Sequence, residues 1–276
     1  NVAMVTYNRL EFTRHAIEAL VASADYPYVL NVVDNASTDG TRQCLEEMQR
    51  AGVIRHLTLL PENVGVAKAA NLAWGQEPQA AYYLKLDNDI VMTSPGWLRA
   101  MVNAVEDDAE LGAVAYSFEP RSHPVSRRGT RLLRIKSGNL GGACILIPRR
   151  TFDVLGYWCE DYGLYGEEDF DYGERLRLAG LLNAYMDDED AGLHLPAGKA
   201  AVIDAQETAM DGVEENLHKS YREKKDKSRR HATGWLGPVE RNMADYASGR
   251  KPLRCESAFA NTHMAGTPTL APAPPT

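Results

Sequence analysis

Short apolar runs alternate with amphipathic stretches through residues 2–105, and this alternation points to a layered sheet built from βαβ units. Residues 2–6 predict a first strand, and 10–22 a helix with Phe12, Ala16, Ala19 and Leu20 at helical spacing. A second strand over 29–33 ends at Asp34, and the turn Asn35-Ala36-Ser37-Thr38-Asp39-Gly40 opens a helix over 41–50. Strand 54–60 and helix 64–74 repeat the unit. A fourth strand ends at Leu86. The helix after it, 95–105, buries Trp97, Leu98, Met101 and Val105, with Ser94 as N-cap and Pro95 in the first position. Beyond 110 the pattern loosens: 111–117 and 138–147 predict strands either side of a basic, proline-bearing loop, 120–134, and 167–179 predicts a helix. The remainder is polar, and the Pro/Ala/Thr tail 266–276 reads as disordered.

Composition narrows the class. With 276 residues, 44% hydrophobic and 25% charged, the chain reads as an ordinary globular protein able to bury one large core. A net charge of −8 argues against a nucleic-acid partner across the whole surface. No apolar stretch approaches the roughly 18 residues that span a bilayer, and no signal peptide is visible. The chain opens on Asn1 inside a strand-like run without an initiator Met, which predicts a missing upstream segment. Cys44, Cys144, Cys159 and Cys255 lack CxxC spacing and read as reduced, packed thiols of a cytoplasmic protein, with nothing favouring zinc.

Ligands of an open parallel sheet sit beyond the carboxyl ends of its strands. Those ends here are Thr6-Tyr7-Asn8, Asp34-Asn35, Pro61-Glu62-Asn63 and Asp87-Asn88-Asp89: polar and acidic, with neither GxGxxG nor GxxxxGKS/T. Two carboxylates one residue apart at the end of a buried strand are costly without a counter-charge. Mn²⁺ or Mg²⁺ holding a diphosphate is one partner, since hard oxygen ligands suit these ions and leave positions open for phosphate. A structural turn is the other reading, because Asp and Asn also close turns and cap helices.

The strand-end segments occur in a telling order: Val5-Thr6-Tyr7-Asn8-Arg9, Val33-Asp34-Asn35-Ala36-Ser37-Thr38-Asp39-Gly40-Thr41, Glu62-Asn63-Val64-Gly65 and Leu86-Asp87-Asn88-Asp89. Farther on come Gly138-Asn139-Leu140-Gly141-Gly142-Ala143 and Gly166-Glu167-Glu168-Asp169-Phe170-Asp171-Tyr172-Gly173-Glu174-Arg175-Leu176. The series resembles the family 2 glycosyltransferases, over roughly residues 2–195. The resemblance implies a GT-A fold: a Rossmann-like, mostly parallel α/β sheet flanked by helices, with an acceptor-side subregion and a C-terminal extension. It implies a catalytic domain over 1–215 (donor half about 1–110, acceptor half about 111–215), then a polar, basic extension or lid over 216–265.

The resemblance also implies roles. Asp34 accepts a hydrogen bond from the nucleotide base, Thr6 forms the pocket wall beside it, and Asp39 lies near the nucleoside, although both acids also suit a turn and a helix start. Asp87 contacts ribose or water on the metal, and Asp89 ligates the metal. Asp169 is the general base, with the first turn of a helix as the plainer reading. His194, between Leu193 and Leu195, is a late metal ligand or a packed side chain. Asp171 holds Arg175 four residues on and serves structure. One departure concerns the donor: the family often carries Arg where Ala70 precedes Asn71, and Lys68 is the nearest cation to contact the nucleotide.

What this implies is a metal-dependent, inverting glycosyltransferase moving a sugar from a UDP- or dTDP-sugar to a hydroxyl of a glycan or lipid-linked acceptor in cell-surface polysaccharide synthesis. The segment Asp169–Arg175 with a later His is similar to rhamnosyl- and galactofuranosyltransferases. A non-catalytic nucleotide-sugar or glycan-binding domain and a sugar nucleotidyltransferase are the competing readings; the latter calls for a glycine-rich loop after the first strand, which is absent. Residues 219–230 carry seven Lys or Arg against Glu223 and Asp226. They read as a mobile lid, as a peripheral contact with the inner face of a membrane, or as a solvated helix face. Trp235 reads as a sugar-stacking residue or a tail anchor.

Overall fold

The computed structural model describes residues 1–117, 123–136, 138, 140–188, 190–195 and 238–264. The basic segment 219–230, Trp235 and the tail 266–276 lie outside them. The first units form as the alternation requires: β1 (Val2–Thr6), α1 (Leu10–Ser23), β2 (Leu30–Asp34), α2 (Thr41–Arg50), β3 (His56–Leu59), α3 (Val66–Gly75) and β4 (Tyr82–Leu86). Then follow β5 (Ile90–Met92), α4 (Trp97–Asp107), β6 (Leu111–Ala115), β7 (Val125–Arg128), β8 (Arg131–Lys136), β9 (Cys144–Pro148), α5 (Arg149–Leu155), a short 3₁₀ turn (Glu160–Tyr162), α6 (Glu168–Leu178), β10 (Leu182–Met186) and β11 (Gly192–His194). Two further helices, α7 (Pro238–Ala247) and α8 (Ala258–Met264), end the described chain.

Nine strands make one sheet in the order β3-β2-β1-β4-β9-β6-β10-β8-β7, and β11 pairs with β5 in a second, two-stranded sheet. Strands β1 to β4 are parallel, and β9 and β8 run against the other members of the large sheet, so it is mostly parallel. Apolar side chains cover both faces. One layer packs Met4, Leu20, Leu84, Trp97 and Met101; the other packs Trp74, Tyr83, Phe152, Trp158 and Tyr172. Each fully buried large side chain contributes about 1.5–3 kcal/mol of transfer free energy.

Three expectations are corrected. The segment 120–134 is not simply a loop: β7 and β8 form an antiparallel hairpin across Gly129-Thr130, where Gly129 takes φ 58°. The strand proposed over 138–147 is confined to Cys144–Pro148, because Gly138 and Gly141 adopt positive φ that a strand cannot. Ser94 does not cap α4. Its backbone N–H donates to Ala191 O, 3.0 Å away, and the helix starts at Trp97 after Gly96.

The region expected to be a polar extension also contributes to the core. Within 238–264, α8 packs on α3, Ala260 and Tyr246 are buried, and Cys255 bridges in parallel to Gly156. Gly156 has φ 65°, and a Cβ there would lie 2.2 Å from Cys255 O. Gly156→Ala is therefore expected to cost about 1–3 kcal/mol through strain and overpacking. Hydrogen exchange should show loss of protection at the Cys255 and Tyr157 amides, which bond Leu155 O and Cys255 O at 2.8 and 2.9 Å. Unchanged exchange there would refute the docking argument.

Candidate active site

Asp87-Asn88-Asp89 stands where β4 ends and β5 begins. The Asp87 N–H bonds Ala143 O at 2.8 Å, and Asn88 Nδ2 donates to Thr13 Oγ1 on α1 at 2.9 Å, so the middle residue fastens the turn and leaves both acids directed into a cavity. The β5–β11 ladder pairs Ile90 with His194. That register sets His194 Nε2 3.3 Å from Asp89 Oδ2, joining residues far apart along the chain.

The cavity measures about 460 Å³, within the ordinary range for small-molecule sites. Val5, Tyr7, Asn35, Asn63 and Val66 line it together with Gly142, Leu164, Tyr165, Glu168 and Asp169. Asp87, Asp89 and His194 lie on the same wall as Arg9 and Lys85. Asp169 sits in the first turn of α6. Its Oδ1 accepts the Phe170 N–H at 2.7 Å and its Oδ2 the Gly142 N–H at 3.2 Å, which fixes the carboxylate. A Cβ on Gly142 would come within 2.7 Å of the Trp158 ring, so only glycine lets the backbone approach Asp169 this closely.

Each acid of the pair has a cation beside it. Lys85, buried in β4, donates to Asp87 Oδ1 and lies 5.4 Å from the Trp158 ring centroid. Arg9 donates to Asp89 Oδ2 at 2.9 Å. Burial pushes the Asp87 carboxyl above the ordinary range, opposed by Lys85 and reinforced by Asp89. Burial acts the same way on Asp89, but His194 and Arg9 outweigh it and hold that carboxyl below its usual value. The hydrogen bond to Asp89 raises His194.

The second Asp89 oxygen, Oδ1, is buried and has no hydrogen-bond partner among the described residues. A buried lone carboxylate oxygen is costly unless something occupies it. Beside Asp87 and an imidazole nitrogen, this donor set of hard oxygens and one nitrogen fits Mn²⁺ or Mg²⁺.

Four residues expected at the nucleotide do not line this cavity. Thr6 and Asp34 are partners in the β1–β2 register and fully buried; Thr6 Oγ1 donates to Asp34 Oδ1 at 2.9 Å. Ser37 donates to both Asp34 oxygens, and Arg42 Nε lies 3.4 Å from Oδ2. The Asp34 carboxylate is thus enclosed by protein donors. Asp39 accepts Leu10 N and Thr41 N at 3.0 and 3.1 Å and ties two helix starts together, the turn role also considered for it. Lys68 is on α3, half-buried, away from the wall. Ala70 is buried, and Asn71 next to it is committed to Trp158 through two hydrogen bonds of 2.9 and 3.0 Å.

Tyr7, Asn35, Tyr165 and Glu168 also line the cavity, although the sequence assigned none of them a role of its own. Tyr7 and Asn35 directly follow the strand ends named there, and that adjacency was the available signal. Tyr165 and Leu164 are exposed side chains on the cavity wall.

Comparison with known proteins bears on the fold and the site. A family model described as glycosyl transferase family 2 matches residues 1–156, more than half of the chain. An N-acetylglucosaminyl-diphospho-decaprenol L-rhamnosyltransferase of Mycobacterium tuberculosis is 26% identical over 228 residues, covering 67% of this chain and 72% of its own. The mannosyltransferase PcManGT from Pyrobaculum calidifontis, solved with GDP-Man and Mn²⁺, superposes with a TM-score of 0.54 at 21% identity over 70% of this chain. GalNAc-T7, solved with UDP, GalNAc and Mn²⁺, gives 0.55 at 14% identity over 67%. The chain spans 56% and 41% of these two solved proteins, and at such identities the likeness is one of fold.

Proposed function

The chain belongs to glycosyl transferase family 2 and has the GT-A fold, and we propose that it transfers a sugar, with inversion, from a UDP- or dTDP-sugar to an acceptor hydroxyl in a divalent-metal-dependent reaction. The observation that carries this reading is the sharing of one cavity by Asp169 and the group Asp87, Asp89 and His194, with Asp89 Oδ1 buried and unpartnered. Asp89 and His194 would hold Mn²⁺ or Mg²⁺, with Asp87 beside them. Such an ion supplies Lewis-acid neutralisation of the departing diphosphate. Two fold relatives solved with Mn²⁺ support the choice of cation.

The remaining work falls to protein groups. Tyr7, Asn35, Asn63 and Val66, which line the cavity beyond β1, β2 and β3, take the nucleoside. Asp169, held by two backbone N–H groups, removes the acceptor proton as the hydroxyl attacks. A single base facing the leaving group from the far side gives inversion. Leu164 and Tyr165 screen the reacting centre from water, whose attack would waste the donor. A glycan or lipid-linked acceptor is supported by the named activity of the mycobacterial relative. Action in the cytoplasm, peripherally at the inner membrane face, is part of the same proposal; among the described residues no helix is long and apolar enough to cross a membrane.

Calorimetric titration of UDP, dTDP and GDP, each with and without Mn²⁺, tests the donor site. One uridine or thymidine diphosphate should bind only with Mn²⁺. Asp89→Ala should weaken that binding by roughly a hundredfold or more, beyond the loss of an outer-shell partner. No binding of any of the three by the wild-type chain would end the reading.

A further inference from the structure

Arg9 is the feature that the proposed chemistry leaves unused. It follows Asn8, and the two form consecutive left-handed residues at φ 56° and 64°, a costly backbone for non-glycine residues. Contacts from the β2–α2 loop hold this shape. Asn8 N–H donates to Ser37 Oγ at 2.7 Å, Asn8 Oδ1 accepts the Thr38 N–H at 2.8 Å, and Leu10 N–H donates to Asp39 at 3.0 Å. The conformation carries the Arg9 side chain over the Phe12 ring, 5.7 Å from its centroid, and onto Asp89. The guanidinium therefore touches the carboxylate that also bears the unpartnered Oδ1.

A guanidinium and a divalent cation compete for one carboxylate. When a nucleoside diphosphate arrives with the cation, the mobile partner is Arg9: its side chain keeps 22% of its exposure at the cavity wall, whereas Lys85 is buried in β4 and held between Asp87 and Trp158. Guanidinium groups pair with phosphate oxygens in a two-pronged geometry. We infer that Arg9 is a donor-binding residue that neutralises Asp89 while the cavity is empty and passes to the donor diphosphate when the cation takes Asp89. The strained turn would hold it in reach of both. This inference rests on the reading of the site given above.

Two titrations test it. Mn²⁺ alone, followed by electron paramagnetic resonance, should bind Arg9→Asn about three- to tenfold more tightly than wild type, since a competing charged hydrogen bond is gone. UDP at saturating Mn²⁺ should bind the same variant about tenfold or more weakly. Asn tolerates the left-handed conformation; if that variant is misfolded by circular dichroism, Arg9→Gly, suited to φ 64°, replaces it. Arg9→Lys, which keeps the charge but not the two-pronged geometry, should bind UDP more weakly than wild type and more tightly than the neutral variants. Unchanged or weaker Mn²⁺ binding in the neutral variants overturns the inference, and so does unchanged UDP binding. If wild type binds no nucleoside diphosphate with Mn²⁺, both the inference and the functional reading fall; if wild type binds and the variants match it, only the role of Arg9 falls.

Discussion

Asp169→Asn is expected to lower glycosyl transfer by about two to four powers of ten while leaving nucleoside diphosphate affinity in Mn²⁺ within about threefold of wild type. The substitution keeps the side chain's volume and one carbonyl oxygen, so it preserves a bond to either Gly142 N or Phe170 N while abolishing proton uptake. The separation of effects follows from position. Asp169 lies on α6, whereas the metal-fitting group lies on the β4–β5 turn and β11. Measured transfer with a saturating donor, set beside calorimetric donor binding, resolves the two. A matched loss in both would mean that Asp169 holds the loop at Gly142 in place and is not the base.

The same geometry explains which parts of the molecule the sequence discloses. Strand ends in a parallel sheet converge on one edge, so Asp87, Asp89 and the acid turn of α6 announce themselves as polar residues after apolar runs. His194 reaches Asp89 through a short antiparallel ladder that no local pattern shows, and only the family resemblance pointed to it. Thr6 and Asp34 stand back from the cavity for a physical reason: in register across β1 and β2, their side chains satisfy one another inside the sheet, and the cavity begins one residue later at Tyr7 and Asn35. Arg9 escaped notice because only tertiary contact brings it to Asp89, and Lys85 because its burial beside Asp87 shows only in the folded chain. The β7–β8 hairpin was hidden by its composition. Arg127, Arg128 and Arg131 suggested a solvated loop, yet Arg128 is neutralised by Asp108 and Glu110 at 2.6 and 2.5 Å.

Asp171 and Arg175 show a sequence-level pair acquiring a larger role once the chain is folded. Spacing of four on a helix gave the contact, Arg175 Nε to Asp171 Oδ1 at 2.6 Å, but not its burial, which is complete for both side chains. Burial disfavours the charged guanidinium, and Asp171 more than offsets that. The other Arg175 nitrogens donate to Leu155 O, Tyr157 O and Leu253 O, and Asp171 Oδ2 accepts hydroxyls from Tyr162 and Tyr246. Leu253 and Tyr246 belong to the C-terminal segment, so this ion pair joins that segment to α5 and α6. Removing one partner leaves a buried charge and several carbonyls unpaired. Arg175→Met is expected to destabilise the chain by about 3–5 kcal/mol in denaturant unfolding, and to expose 238–264 to proteolysis first. Asp171→Asn, which still accepts from Arg175, should cost less. A loss below about 1 kcal/mol for Arg175→Met, with 238–264 still protected, would show that apolar packing of α8 on α3 suffices to hold the segment.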